Sequence, residues 1–140
     1  QPLTVGIWIG VHGRPERVSR LNRISLARSD VLSFHSYRRR APVRRAVAHL
    51  ARYERPLLCT EWLARSSGST VDLLEGFAQL GVGAYAWGLV SGRTQTIHPW
   101  TSWARPGRGE PDPWFHDLLR SDGSPYDTQE VGLLRRVTGA

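Results

Sequence analysis

Three observations predict an α/β fold with parallel strands. Short β-branched, apolar runs alternate with stretches whose apolar residues recur at helical spacing, giving the order βαβαβαβ. The third run, Leu57-Leu58-Cys59, is too continuously apolar for a sheet with one wet face, as expected of a parallel sheet covered by helices. Parallel neighbours separated by helix-length segments imply right-handed crossovers.

Residues 3–8 are β-branched and apolar, a strand with Trp8 near its end. Gly10 and Gly13 mark a loop, and Pro15 suits a first helical turn. Val18, Leu21 and Ile24 then recur at three-residue steps to about Ala27. Residues 31–35 form the second strand, which leads through Ser36 and Tyr37 into a basic loop. Val43, Ala46, Val47 and Leu50 predict an amphipathic helix over 42–53. Pro56 opens the third strand, where a missing N–H costs no ladder bond, and the apolar pattern breaks at Glu61 and Trp62. Ser69 or Thr70 is placed to cap a helix through Leu73, Leu74, Phe77 and Leu80, which Gly81 ends. Residues 82–88 make the fourth strand, followed by a long loop over 91–113 that carries Trp100 and Trp103. Residues 114–119 read as a short helix, and Asp127-Thr128-Gln129-Glu130 as a capping box opening a last helix to about Val137.

Composition narrows the function classes. The net charge of +7 comes from arginine alone, since the 19 basic residues include no lysine. Arg14, Arg17, Arg20 and Arg23, and again Arg44, Arg45 and Arg52, fall at helical spacings that suit solvated helix faces better than a nucleic-acid footprint. No apolar run of about 18 residues signals a membrane span, and the first residues lack the pattern of a secretory signal. The single cysteine, Cys59, forms no intrachain disulfide. The absence of methionine and a strand pattern starting at residue 3 lead us to expect a preceding segment.

The chemistry concentrates at strand ends. His35 and Tyr37 lie two residues apart and so point to one side, Glu61 ends the next strand, and Trp87 the one after. In adjacent parallel strands these line one rim. A carboxylate, a phenol able to hydrogen-bond it, an imidazole and an indole platform are what a sugar-cleaving site requires.

Ser-Asp-Val-Leu-Ser-Phe-His-Ser-Tyr (29–37), Arg-Pro-Leu-Leu-Cys-Thr-Glu-Trp (55–62) and Gly-Ala-Tyr-Ala-Trp-Gly-Leu-Val-Ser-Gly-Arg-Thr-Gln-Thr (83–96) resemble the last strands of a cellulase-like, clan A glycoside hydrolase. Trp-Phe-His-Asp-Leu-Leu-Arg-Ser-Asp-Gly-Ser-Pro-Tyr (114–126) is similar to the end of such chains, so the resemblance spans nearly all 140 residues. It implies that the chain is the C-terminal half of a TIM (β/α)8 barrel, a single partial domain over 1–140 supplying strands five to eight. By this resemblance Glu61 is the nucleophile of a retaining hydrolase acting on a β-linked saccharide, and Tyr37 is its hydrogen-bonding neighbour. Trp87 is the sugar platform and His35 contacts the substrate, while Trp8, Trp62, Gln95, Trp100 and Trp103 are candidates for the cleft wall. We expect no cofactor, no metal, no nucleic-acid partner and no membrane; the expected partners are the carbohydrate and the missing N-terminal half, or a second copy of the chain.

One departure matters. The family carries its acid/base glutamate in an Asn-Glu-Pro motif, which is absent here, and Glu110-Pro111 falls in the loop after the last strand. A barrel of about 250 residues also needs more chain than this. A non-catalytic carbohydrate-binding relative is the alternative from another class. It would keep the tryptophans without the catalytic pair, and Glu61 with Tyr37 counts against it. An arginine-rich nucleic-acid binder, for which the sequence offers charge but no motif, is a more distant third.

Overall fold

The computed structural model describes residues 1–8, 19–107 and 109–140. Gly10, Gly13, Arg14, Pro15, Arg17 and Val18, all singled out in the sequence, lie outside the described residues. Among the described residues, one four-stranded sheet runs in the order β1 (Ile7–Trp8), β2 (Leu32–His35), β3 (Leu57–Trp62) and β4 (Val82–Ala86), with every pairing parallel. Helices α1 (Arg20–Arg28), α2 (Arg40–Leu50) and α3 (Leu73–Gln79) connect successive strands, and α4 (Thr128–Thr138) closes the chain. The chain is therefore an α/β protein with a parallel sheet, as the alternation predicts.

The core lies between sheet and helices. Phe34, Cys59, Leu32 and Val82 from the strands meet Ala46, Val47 and Leu50 of α2 and Leu73 and Phe77 of α3. The stripe predicted on α2 is buried in full, each large apolar side chain contributing about 1.5–3 kcal/mol. At the end of α1, Arg55 donates to the carbonyls of Leu26 (2.8 Å) and Ser29 (2.6 Å), where a cation complements the helix dipole.

Several expectations are corrected. The first strand is two residues long, not six. Leu3 is instead tethered to the α1–β2 junction: its N–H donates to Asp30 Oδ2 (2.7 Å) and its carbonyl accepts from the Asp30 N–H (2.8 Å). Helix α1 is capped by Ser19, and it buries Leu26 while Leu21 and Ile24 stay 69% and 50% exposed. Ile24 and Leu26 are about 200° apart around a helix, so burying one turns the other outward.

Neither Ser69 nor Thr70 caps α3. Ser69 Oγ accepts from the Leu63 N–H, Thr70 donates to Asp72, and Asp72 occupies the cap position. Leu80 falls just past the helix and is half exposed. Residues 114–119 are not helical. Trp114, Phe115, His116, Asp117 and Leu118 are all buried, a pattern no amphipathic helix supports. Their N–H groups pair across the preceding loop, Phe115 to Ile97 O (2.7 Å) and His116 to Thr96 O (3.2 Å). The last helix is capped by Asp127 as predicted, but Glu130 does not reach back to complete the box. It is drawn away by Arg65.

Candidate active site

A bulge in β3 sets the site. Cys59 pairs with Ala84 and Trp62 with Ala86, so Thr60 and Glu61 share the space opposite a single residue of β4. The same extra residue appears against β2, where Phe34 pairs with Cys59 but His35 pairs with Glu61. Bulges re-aim side chains and recur beside active sites. Here the bulge keeps Cys59 and Trp62 buried while Glu61 sits partly exposed at the strand end.

Tyr37 Oη donates to Glu61 Oε2 at 2.9 Å. His35 Nδ1 lies 3.3 Å from the same oxygen, within ion-pair range but off the hydrogen-bonding line. Burial, reinforced by the hydrogen bond and charge of Glu61, raises the Tyr37 pKa far above that of a free phenol, so this group stays a donor. Burial also pushes the Cys59 thiol up to about 12, which leaves it an inert core residue.

Two cavities open onto this cluster. One of about 470 Å³ is lined by Glu61, Tyr37, Trp87, Gln95, Trp100 and His116, among others. Its neighbour of about 580 Å³ holds His35, and Trp8, Tyr37, Trp100 and Trp103 form walls of both. Trp100 packs edge-on to Tyr37 at 4.9 Å and Trp8 edge-on to His35 at 5.3 Å. Trp87, whose N–H extends the β3–β4 pairing to Trp62 O (2.9 Å), keeps its indole 44% exposed. His35, Tyr37, Glu61 and Trp87 thus converge at the C-terminal ends of their strands. Trp62 departs from the expected cleft wall. It is 1% exposed and packs edge-on to Phe77 of α3 at 5.7 Å, because the bulge turns it toward the helices. Glu110 is also remote from this chemistry, holding the Trp114 indole N–H at 2.6 Å.

Two buried residues of the site escape sequence reasoning. The His116 ring lies 5.6 Å from that of Tyr37, and its Nδ1 pairs with the carbonyl of Leu63. Because a carbonyl only accepts, Nδ1 carries the proton and Nε2 presents a lone pair, with no partner among the described residues. Leu63 itself adopts φ +76, a left-handed conformation costly for a bulky residue, and this aims its carbonyl at the ring. Asp117 accepts from Thr96 Oγ1 at 2.7 Å and abuts Gly88, where an added Cβ would lie 2.7 Å from Asp117 Oδ1. With φ +86 as well, only glycine fits there. The one available signal was polar residues inside an apolar run, and a helix reading hides it.

Burial, with help from Arg65, lowers the His116 pKa against the opposing pull of Leu63 O, Asp117 and Glu61. A histidine depressed in the folded state gives stability that is complete above the unfolded value of about 6.5 and is lost as pH falls below it. Denaturant midpoints should therefore fall between pH 7 and pH 5. His116→Gln should flatten that dependence, and an unchanged slope in the variant would refute the assignment.

Among the described residues, no group of three or more His, Cys, Asp or Glu is arranged to hold a metal, and no helix is long and apolar enough to cross a membrane. The fold and site define an α/β protein whose parallel sheet carries a carboxylate–phenol–imidazole cluster under an aromatic cleft. Comparison with protein-family models, curated proteins and solved structures finds no match.

Proposed function

We propose that this chain is the C-terminal half of the (β/α)8 barrel of a retaining glycosidase acting on a β-linked saccharide. The observation that carries the reading is Glu61, held at 2.9 Å by the Tyr37 phenol in an indole-walled cavity. The sheet order supports the barrel, because strands neighbour one another in sequence with no reversal of the doubly wound kind. Among the described residues its edge strands β1 and β4 leave backbone unpaired for the rest of a barrel, or for a second copy of the chain.

In this mechanism the Glu61 carboxylate attacks the anomeric carbon, while an acid/base glutamate from the other half protonates the leaving oxygen. The two carboxyl groups of such a site stand about 5–5.5 Å apart. The glycosyl–Glu61 ester forms, and water activated by the acid/base group then hydrolyses it. Tyr37 orients the nucleophile, His35 contacts the sugar, and Trp87 offers its face to the apolar C–H side of the pyranose. A fluoroglycoside that traps the covalent intermediate should label Glu61 in the full-length enzyme, read by mass spectrometry of the digested peptides. Labelling of any other residue would overturn the assignment.

A further inference from the structure

We propose that the 580 Å³ cavity beside Glu61 is a subsite for a sugar carrying a carboxylate, a uronic acid, recognised by Arg38. The inference rests on the glycosidase reading and adds a substrate class to it. Trp8, Trp100 and Trp103 wall the cavity, giving flat apolar faces on which a pyranose ring can lie. Among the described residues its polar lining is Arg38, Ser36, Ser67, His35 and Tyr37, without an aspartate or glutamate. Tyr37 and His35 are turned to Glu61. What remains for a ligand is a guanidinium and two hydroxyls, a set rich in donors.

A neutral sugar presents hydroxyls that donate as readily as they accept, and here only the two serine hydroxyls are left to accept from them. A carboxylate, which only accepts, fits the set. The planar fork of arginine matches a carboxylate in bidentate fashion, and charge-assisted bonds of this kind are the strong ones.

The arginines next in sequence are otherwise engaged. Arg40 pairs with Asp72 at 3.0 Å, and the Arg39 side chain lies against Gly68, where an added Cβ would meet it at 2.7 Å. Arg38 has no hydrogen bond or ion pair within the described residues, although it lines the cavity. Ser36 is the second, independent sign. It is 2% exposed and its hydroxyl has no partner among the described residues, an arrangement that is costly unless a ligand completes it. The shared walls Trp8, Tyr37, Trp100 and Trp103 set the uronic acid next to the sugar at Glu61.

Quenching of tryptophan fluorescence tests the proposal without turnover. The probes are paired β-linked gluco- and manno-oligosaccharides, identical except that one member has its hydroxymethyl groups oxidised to carboxylates. The charged member of a pair should bind roughly tenfold tighter at low salt. That advantage should shrink at high salt and vanish in Arg38→Gln, which weakens the neutral member far less than the charged one. Arg38→Lys, which keeps the charge but not the fork, should retain only part of it. Equal affinity for both members, or equal weakening of both by Arg38→Gln, overturns the subsite and leaves the glycosidase reading standing. Binding of neither member overturns both.

Discussion

Glu61→Gln is expected, on the glycosidase mechanism proposed above, to lower turnover by at least roughly ten-thousand-fold, with no recovery at any pH. The nucleophile must be an anion, and an amide of the same shape neither attacks the anomeric carbon nor stabilises its developing positive charge. Tyr37→Phe removes only the 2.9 Å hydrogen bond to the carboxylate. A hydrogen bond to a charged group contributes about 1.5–3 kcal/mol, so that variant should slow the reaction about 10- to 150-fold. Steady-state kinetics on an aryl glycoside separate the two. Among the described residues no second carboxylate lines the cavity of Glu61, so the 140-residue chain alone is expected to hydrolyse little or nothing. Robust hydrolysis by the chain alone, or a Glu61→Gln enzyme that keeps its activity, would sink the mechanism.

The sequence carried what depends on local period. The βα alternation and the α2 stripe of Val43, Ala46, Val47 and Leu50 are written in neighbouring residues, and the structure repeats them. The break of the third apolar run at Glu61 likewise marks where the cluster with His35 and Tyr37 forms. What failed depends on partners distant along the chain. Trp62 was a cleft candidate by resemblance alone, and the bulge that turns it inward exists only in the register with β2 and β4. Leu21 and Ile24 matched a helical step, yet Leu26 won the core because the sheet lies on its side of α1. Residues 114–119 read as helix from their composition. Their buried backbone is paired with residues 89–97 instead, and this brings His116 under Tyr37. No spacing rule announces such a segment.

That same segment depends on one side chain, and Arg65→Ala should cost about 3–5 kcal/mol of folding stability. The Arg65 side chain is 5% exposed. Its Nε and Nη2 grip Glu130 at 2.9 and 2.6 Å, a bidentate fork to the first turn of α4. The remaining donors serve three backbone carbonyls: Trp114 at 3.1 Å, Asp117 at 2.9 Å, and His116. The guanidinium also lies 4.8 Å from the centre of the Tyr126 ring. Truncation therefore strands a partly buried carboxylate together with three carbonyls that have no other donor in the fork's place. Lysine cannot span the set with a single ammonium, so Arg65→Lys should recover only part of the loss. Glu130→Gln keeps an acceptor and should cost less than Arg65→Ala. Urea unfolding of the three variants gives the ranking directly. A loss under about 1 kcal/mol for Arg65→Ala would mean that water replaces the guanidinium, and that the turn after β3, the 114–117 segment and α4 are joined by something other than this residue.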